Sequence, residues 1–467
     1  MRVSHQGLLR LLRETTDPAA YRSVIAQVKY PVGASIISQT ALGFGLTAVL
    51  SRLLGAESFG QYVVVMTIAN IFQLIAAFPV ETGIARFIAE AREGDPACSV
   101  HPVHPERSRG ERSRGEQVRA FYSAGLFTRL AAGILALASA WLLRGWLSHQ
   151  YRVPALRGEI GIAALSLCLL TPLALFFLSC LQGMERPRRW ATGTLLNASF
   201  VFPLAVAGAL GFSAWGHRGL FALIAAGWAC AAVACALLAR GALGFLWPRG
   251  ARRRLRQMLL FLLPIGVVPF LGFGAHTITK SYLAVRWGPV PVGQFEIALT
   301  LLAHMGMFYQ ACMIVLLPAW ARLYARREAG ALLLSMSHAR GALIGVALVY
   351  GAVLVVGGHW IVPALFGREQ AAAVPAARVM GLVMPLMISG WVSSTTNVVS
   401  ARTATIAKAN VIWFSLVVPI ALLLIPHFGA LGAACAWLCA YLVFAWFYIS
   451  RSRPFFREVQ GWLRPPL

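Results

Sequence analysis

Ala275-His276-Thr277-Ile278-Thr279-Lys280-Ser281-Tyr282-Leu283-Ala284-Val285-Arg286-Trp287-Gly288 closes an apolar run that begins at Met258. Lys280 and His276 lie inside the run and Arg286 at its rim, and Gly288, Pro289 and Pro291 end the helix that the run predicts. A lysine within a membrane helix is costly, so it normally faces a protein interior or a water-filled cavity. The same punctuation occurs near the N-terminus. Arg52-Leu53-Leu54-Gly55 and then Phe59-Gly60-Gln61-Tyr62 are echoed by Arg286-Trp287-Gly288 and then Val292-Gly293-Gln294-Phe295. The Gly-Gln-aromatic triplets stand 233 residues apart (293 − 60), half of the 467-residue chain. Two similar halves with charge placed at depth are the pattern of a transporter whose path lies between them.

Composition supports a membrane setting. The chain is 58% hydrophobic and 12% charged, with a mean hydropathy of +0.70, against about 25% charge in soluble domains. A net charge of +25 could indicate nucleic acid, but the arginines sit between apolar runs of bilayer length, so no nucleic-acid partner is expected. There are two aspartates, Asp17 and Asp95, both outside the apolar runs, which excludes an Asp-Asp metal site. Seven of the eight cysteines lie in apolar runs, with no CxxC, and read as small packing residues. No metal, no cofactor and no enzymatic chemistry is expected.

The chain predicts an all-α polytopic protein. Twelve spans are read, at about 30–53, 58–83, 118–143, 159–183, 190–212, 219–240, 258–285, 292–317, 338–362, 378–400, 405–426 and 430–450. Of the 41 Lys and Arg residues, 31 fall on the side of the N-terminus, 7 on the other, and Arg52, Arg129 and Lys280 in or at the ends of spans. Positive charge collects in the cytoplasm, so both termini are placed there, in a multi-pass protein of the inner (cytoplasmic) membrane. The expected domains are an interfacial segment 1–29 and a six-helix bundle 30–240, then a basic linker 241–257, a second bundle 258–450 and a cytoplasmic tail 451–467. Residues 101–117 repeat Arg-Ser-Arg-Gly within a polar, low-complexity run and read as a disordered insert. Pro318-Ala319-Trp320-Ala321-Arg322-Leu323-Tyr324-Ala325-Arg326-Arg327 reads as an interfacial helix with aromatic anchors.

In order and spacing these stretches resemble the polysaccharide transporter (O-antigen flippase) family of the multidrug/oligosaccharidyl-lipid/polysaccharide exporter superfamily. The resemblance covers about residues 30–455 and is carried by several stretches. They are Ala48–Gly55 with Phe59–Tyr62, Thr82–Glu90, Val292–Phe295 with Leu316-Leu317-Pro318, and Ile425–Ala434. It implies two six-helix bundles related by a pseudo-two-fold, around a cavity that opens alternately to each side. The implied cargo is an oligosaccharide repeat unit on undecaprenyl diphosphate, used for surface polysaccharide such as the O-antigen of lipopolysaccharide. The expected partners are that lipid-linked oligosaccharide and membrane lipids, with a polysaccharide polymerase and glycosyltransferases as candidates. Where members often show an acid followed by a base, this chain has Thr279-Lys280, so the acid of any cation-coupling site is missing.

Moving a diphosphate through a membrane calls for fixed cations, arginine as a forked donor set and lysine as a point charge. The candidates for substrate binding are Lys280, Arg286, Arg52 and Arg129. For Arg52 and Arg286, snorkelling to the headgroups is an equal reading. Glu81, Glu296 and His276 are candidate charge partners or ion-coupling groups, with pairing to the bases the commoner role for such acids. A drug exporter of the same superfamily would favour acids in its cavity. A peptidoglycan-precursor flippase usually has fourteen spans, and a membrane polymerase or ligase would need a larger outer loop than this chain has.

Overall fold

The computed structural model describes residue 30 and residues 33–76, 80, 84–85, 87–88, 107–184, 186–240, 251–400 and 402–462. All regular structure among them is helical. The main helices are α1 (Leu46–Ala76), α2 (Arg107–Gln150), α3 (Arg157–Ala164), α4 (Thr171–Gly183), α5 (Pro187–Leu210), α6 (Phe212–Ala239), α7 (Ala251–Trp287), α8 (Pro289–Ala325), α9 (Ala329–Phe366), α10 (Val374–Val399) and α11 (Thr403–Gly461). A π-helical stretch, Thr40–Gly45, leads into α1, and another, Leu165–Leu170, joins α3 to α4.

Eight helical stretches among the described residues are long and apolar enough to cross a membrane. Two of them, Gly33–Leu74 and Ala404–Gly461, are divided by a non-helical glycine, Gly55 in α1 and Gly429 in α11. Division raises the eight to ten, and α7 and α8, 37 residues each, complete the twelve expected spans.

Alternate turns between the spans show the internal repeat in their dihedral angles. Gly55 and Gly288 have φ of 74° and 83°, Arg152 and Gly367 of 58° and 99°, and Gly216 and Gly429 of 57° and 55°. Every one of these six turns therefore has a residue in the left-handed region, which reverses the chain at a helix end. The pairs are separated by 233 (288 − 55), 215 (367 − 152) and 213 (429 − 216) residues. Most of the change falls between the first and second pairs, so the first half carries about 18 extra residues somewhere in 56–151. The run 101–117 lies in that interval. Its residues 107–117, expected to be disordered, form the first turns of α2, while 101–106 lie outside the described residues. Arg, Glu and Gln are good helix formers, and a helix already nucleated by the following span extends into them at little cost.

Contacts gather the chain into two units, one of residues Ile37–Gly293 and one of Gln294–Leu467 together with Met1–Ile36. In the first, α5 packs on α6, α4 on both, α1 on α2, α3 and α5, and α7 on α1 and α2. The expected second bundle, 258–450, included α7. The structure packs this helix with the N-terminal spans, because the face that buries Ala275, Leu283 and Ala284 lies on α1 and α2. The apolar centre of this unit includes Ile84, Phe87, Phe121, Phe176 and Leu181, with Phe87 and Phe121 stacked at 4.8 Å.

In the second unit α9 packs on α10 and α10 on α11. α8 joins them through aromatic contacts, Phe295 with Trp437 and Tyr309 with Trp391, and the Tyr309 hydroxyl donates to the Trp391 carbonyl at 2.9 Å. Trp320, expected to be an interfacial anchor, is instead fully buried, and its Nε1 donates to Ser335 Oγ at 3.0 Å. The indole has a partner there, which a lipid-facing position would not supply.

The Lys/Arg asymmetry makes a topological prediction. Single cysteines replacing Gln150, exposed in an outer turn, and Ser337, exposed at the opposite end, go into a variant lacking the eight native cysteines. An impermeant maleimide applied to intact cells should label position 150 and spare 337. Labelling of 337 alone would invert the topology.

Candidate functional site

α7 ends where Gly288 turns left-handed and its N–H donates to the Ala284 carbonyl at 2.9 Å. This is a helix C-cap that only a residue without a Cβ adopts freely. Lys280 stands eight residues before that cap, about 12 Å along the axis. It is 9% exposed, the preceding Thr277 and Thr279 are 3% and 1% exposed, and His276, half-buried, lies one turn earlier on the same face. α7 packs on α1 and α2, so an ammonium, two hydroxyls and an imidazole are enclosed within one unit. Taking an ammonium out of water in this way costs several kcal/mol before any compensation, so a lysine at this depth marks a functional position.

The other basic candidates sit on the same three helices. Arg129 of α2 is 3% exposed, and its guanidinium donates to the carbonyl of Ala76 at the end of α1. Arg52 of α1 and Arg286 of α7 are both exposed. Arg286 Nε donates to the Tyr282 hydroxyl at 3.2 Å, and its guanidinium lies 5.5 Å from the centre of that ring. All four cations thus belong to the first unit, two buried and two at its surface. Glu296 and His304, both half-buried on α8, belong to the second unit. Glu81 lies outside the described residues. Among the described residues no three His, Cys, Asp or Glu side chains gather as metal ligands.

Two features escaped the sequence reading. Tyr151, in the turn after α2, is 6% exposed and lies near Ser281, the residue after Lys280. Burial pushes its phenol above the usual range, so the ring is neutral there. Asn197 of α5, 4% exposed, accepts from the Cys235 thiol of α6 at 3.4 Å. Neither contact leaves a local signal, since each joins residues far apart in the chain.

The sequence profile of a family described as polysaccharide biosynthesis protein matches residues 32–324. Among solved structures, an inward-facing multidrug resistance MATE family transporter of the MOP superfamily matches with a TM-score of 0.69 at 14% identity, over 91% of this chain and 96% of that one. The lipid II flippase MurJ, in an inward closed conformation, matches with a TM-score of 0.69 at 10% identity, over 91% and 88%. A MOP superfamily transporter from Pyrococcus furiosus, reported with a binding pocket of reversed polarity, gives 0.55 at 12% identity, over 94% and 96%. None of the curated protein sequences matches the chain. At these identities the structural matches establish the fold alone, the polytopic helical fold of those transporters.

Proposed function

The chain belongs to the polysaccharide biosynthesis protein family, and on that premise we propose that it is a flippase for an oligosaccharide linked to undecaprenyl diphosphate. It would work by alternating access across the cytoplasmic membrane, supplying surface polysaccharide assembly. The observation that carries this reading is Lys280, a cation buried in α7 among helices that also bear Arg52, Arg129 and Arg286. The diphosphate is the charged part of such a cargo, and moving charge into hydrocarbon needs a compensating charge. A buried ammonium attracts it at depth, and the two exposed arginines meet it at the rim. The sugar needs only a wet, polar route, while the prenyl chain stays in lipid. His276 is proposed as a group that balances these charges or couples an ion, and Glu81 and Glu296 are proposed for such roles on sequence grounds alone.

The test is reconstitution. Vesicles carrying the purified chain and a fluorescent undecaprenyl-diphosphate oligosaccharide should expose the sugar to a membrane-impermeant lectin or quencher faster than empty vesicles do. No acceleration, in protein shown to be folded, would overturn the reading. A chain lacking 101–117 is expected to flip at the wild-type rate in the same assay, because the repeat spacing marks that interval as added length. Loss of flipping with normal folding would make this segment part of the machinery.

A further inference from the structure

The end of α11 carries a second basic feature, remote from Lys280. Ser452, Phe455 and Val459 are buried at spacings of three and four, which seats one face of residues 451–461 on the rest of the second unit. The Tyr324 ring of α8 stacks on Phe455 at 5.6 Å and lies 5.2 Å from Trp462. The Tyr324 hydroxyl donates to Glu458 Oε1 at 2.8 Å, and Arg402 donates to Oε2 at 3.0 Å. The helix end is therefore held in one rotation, and the opposite face is fixed outward.

That outward face presents Arg453 and Arg457. At a spacing of four they lie one above the other, and like charges so placed oppose the helix they sit on. The neighbouring acid, Glu458, is already engaged by Arg402 and Tyr324. Arg327 and Arg451 are exposed nearby, and Glu328 faces Arg326 at 3.8 Å. Among the described residues this junction shows a surplus of guanidinium with no acid left to balance it.

Trp446, at 69% exposure, and Leu442 mark the lipid-facing side of the same helix. Arg453 and Arg457 follow Trp446 by seven and eleven residues, about 10 and 16 Å along the axis. An aromatic ring at the interface followed by long cationic side chains that can reach back toward it spans the depth of a headgroup layer. The Lys/Arg asymmetry assigns this side to the cytoplasm. We propose that Arg453 and Arg457, held outward by the Tyr324–Glu458–Arg402 junction, form a docking surface for the headgroup phosphate of an anionic phospholipid of that leaflet. A forked guanidinium pair matches phosphate oxygens, and the attraction adds to that of any basic segment at a negatively charged surface.

The test compares the full chain in nanodiscs of phosphatidylcholine with discs containing phosphatidylglycerol, by thermal unfolding. Phosphatidylglycerol should raise the Tm of the wild type by a few degrees. The double variant Arg453→Gln, Arg457→Gln, exposed and outside the packed face, should lose at least half of that rise. An equal rise in both proteins, or none in either, overturns the proposal. Inorganic pyrophosphate added to phosphatidylcholine discs is the third arm. A rise of the same size that the double variant loses would assign the arginines to a free phosphate ligand and overturn the lipid assignment.

Discussion

Lys280→Ala is expected to slow flipping by about 10–100-fold, the loss that follows from removing one charge-assisted contact to a phosphate. Deleting the ammonium removes an attraction for the diphosphate, and flipping is scored per folded molecule so that a change in stability is not read as a change in transport. Lys280→Arg should keep part of the activity because the charge remains, although the larger planar group must fit at a position only 9% exposed. Lys280→Glu should fall below alanine, since it replaces attraction by repulsion at the same depth. The measurement is outer-face sugar per folded molecule in reconstituted vesicles. A lysine that only joins helices predicts another order, with alanine flipping at the wild-type rate, and that result would remove Lys280 from the transport path.

Gly60→Val should cost at least about 2–3 kcal/mol and deplete folded protein from the membrane. A Cβ built on Gly60 would lie 2.4 Å from the Pro289 carbonyl oxygen, 2.6 Å from its carbon and 2.9 Å from the Val290 nitrogen. These are backbone atoms at the start of α8, and no rotamer change can move them aside. The approach is mutual, because a Cβ on Gly293 would stand 3.1 Å from the Gly60 Cα. The repeated Gly-Gln-aromatic triplet therefore marks a crossing of two backbones, each made possible by the glycine of its own copy. Gly288→Ala is the comparison. It has open space around it but a φ of 83°, so only the left-handed strain of about 1–2 kcal/mol applies. Melting curves in detergent should rank wild type above Gly288→Ala and both above Gly60→Val. A Gly60→Val protein that melts with the wild type would mean that the two backbones do not meet in the membrane.

The amino-acid sequence by itself determined the spans and the repeat, and its Lys/Arg asymmetry predicts their orientation. Span length follows from the apolar run needed to cross a bilayer, and orientation from where lysine and arginine fall between runs. Both are local sums that a neighbouring helix does not alter. The triplets at 60–62 and 293–295, alike in Gly-Gln followed by an aromatic residue, exposed the repeat for the same reason. The sequence also set Lys280 and Arg129 within spans and left Arg52 and Arg286 an equal reading at the headgroups, and the structure encloses the first pair and exposes the second. Only the tertiary structure decided which helices meet. Trp320 entered the core instead of the interface, and α7 packed with the N-terminal spans instead of those that follow it. The physical reason is common to these cases. A membrane helix is apolar on nearly every side, so its sequence has no hydrophobic stripe to say which face meets protein and which meets lipid. Each residue turns about 100° from the last, and a side chain's surroundings are settled only by the helix that comes to lie against it.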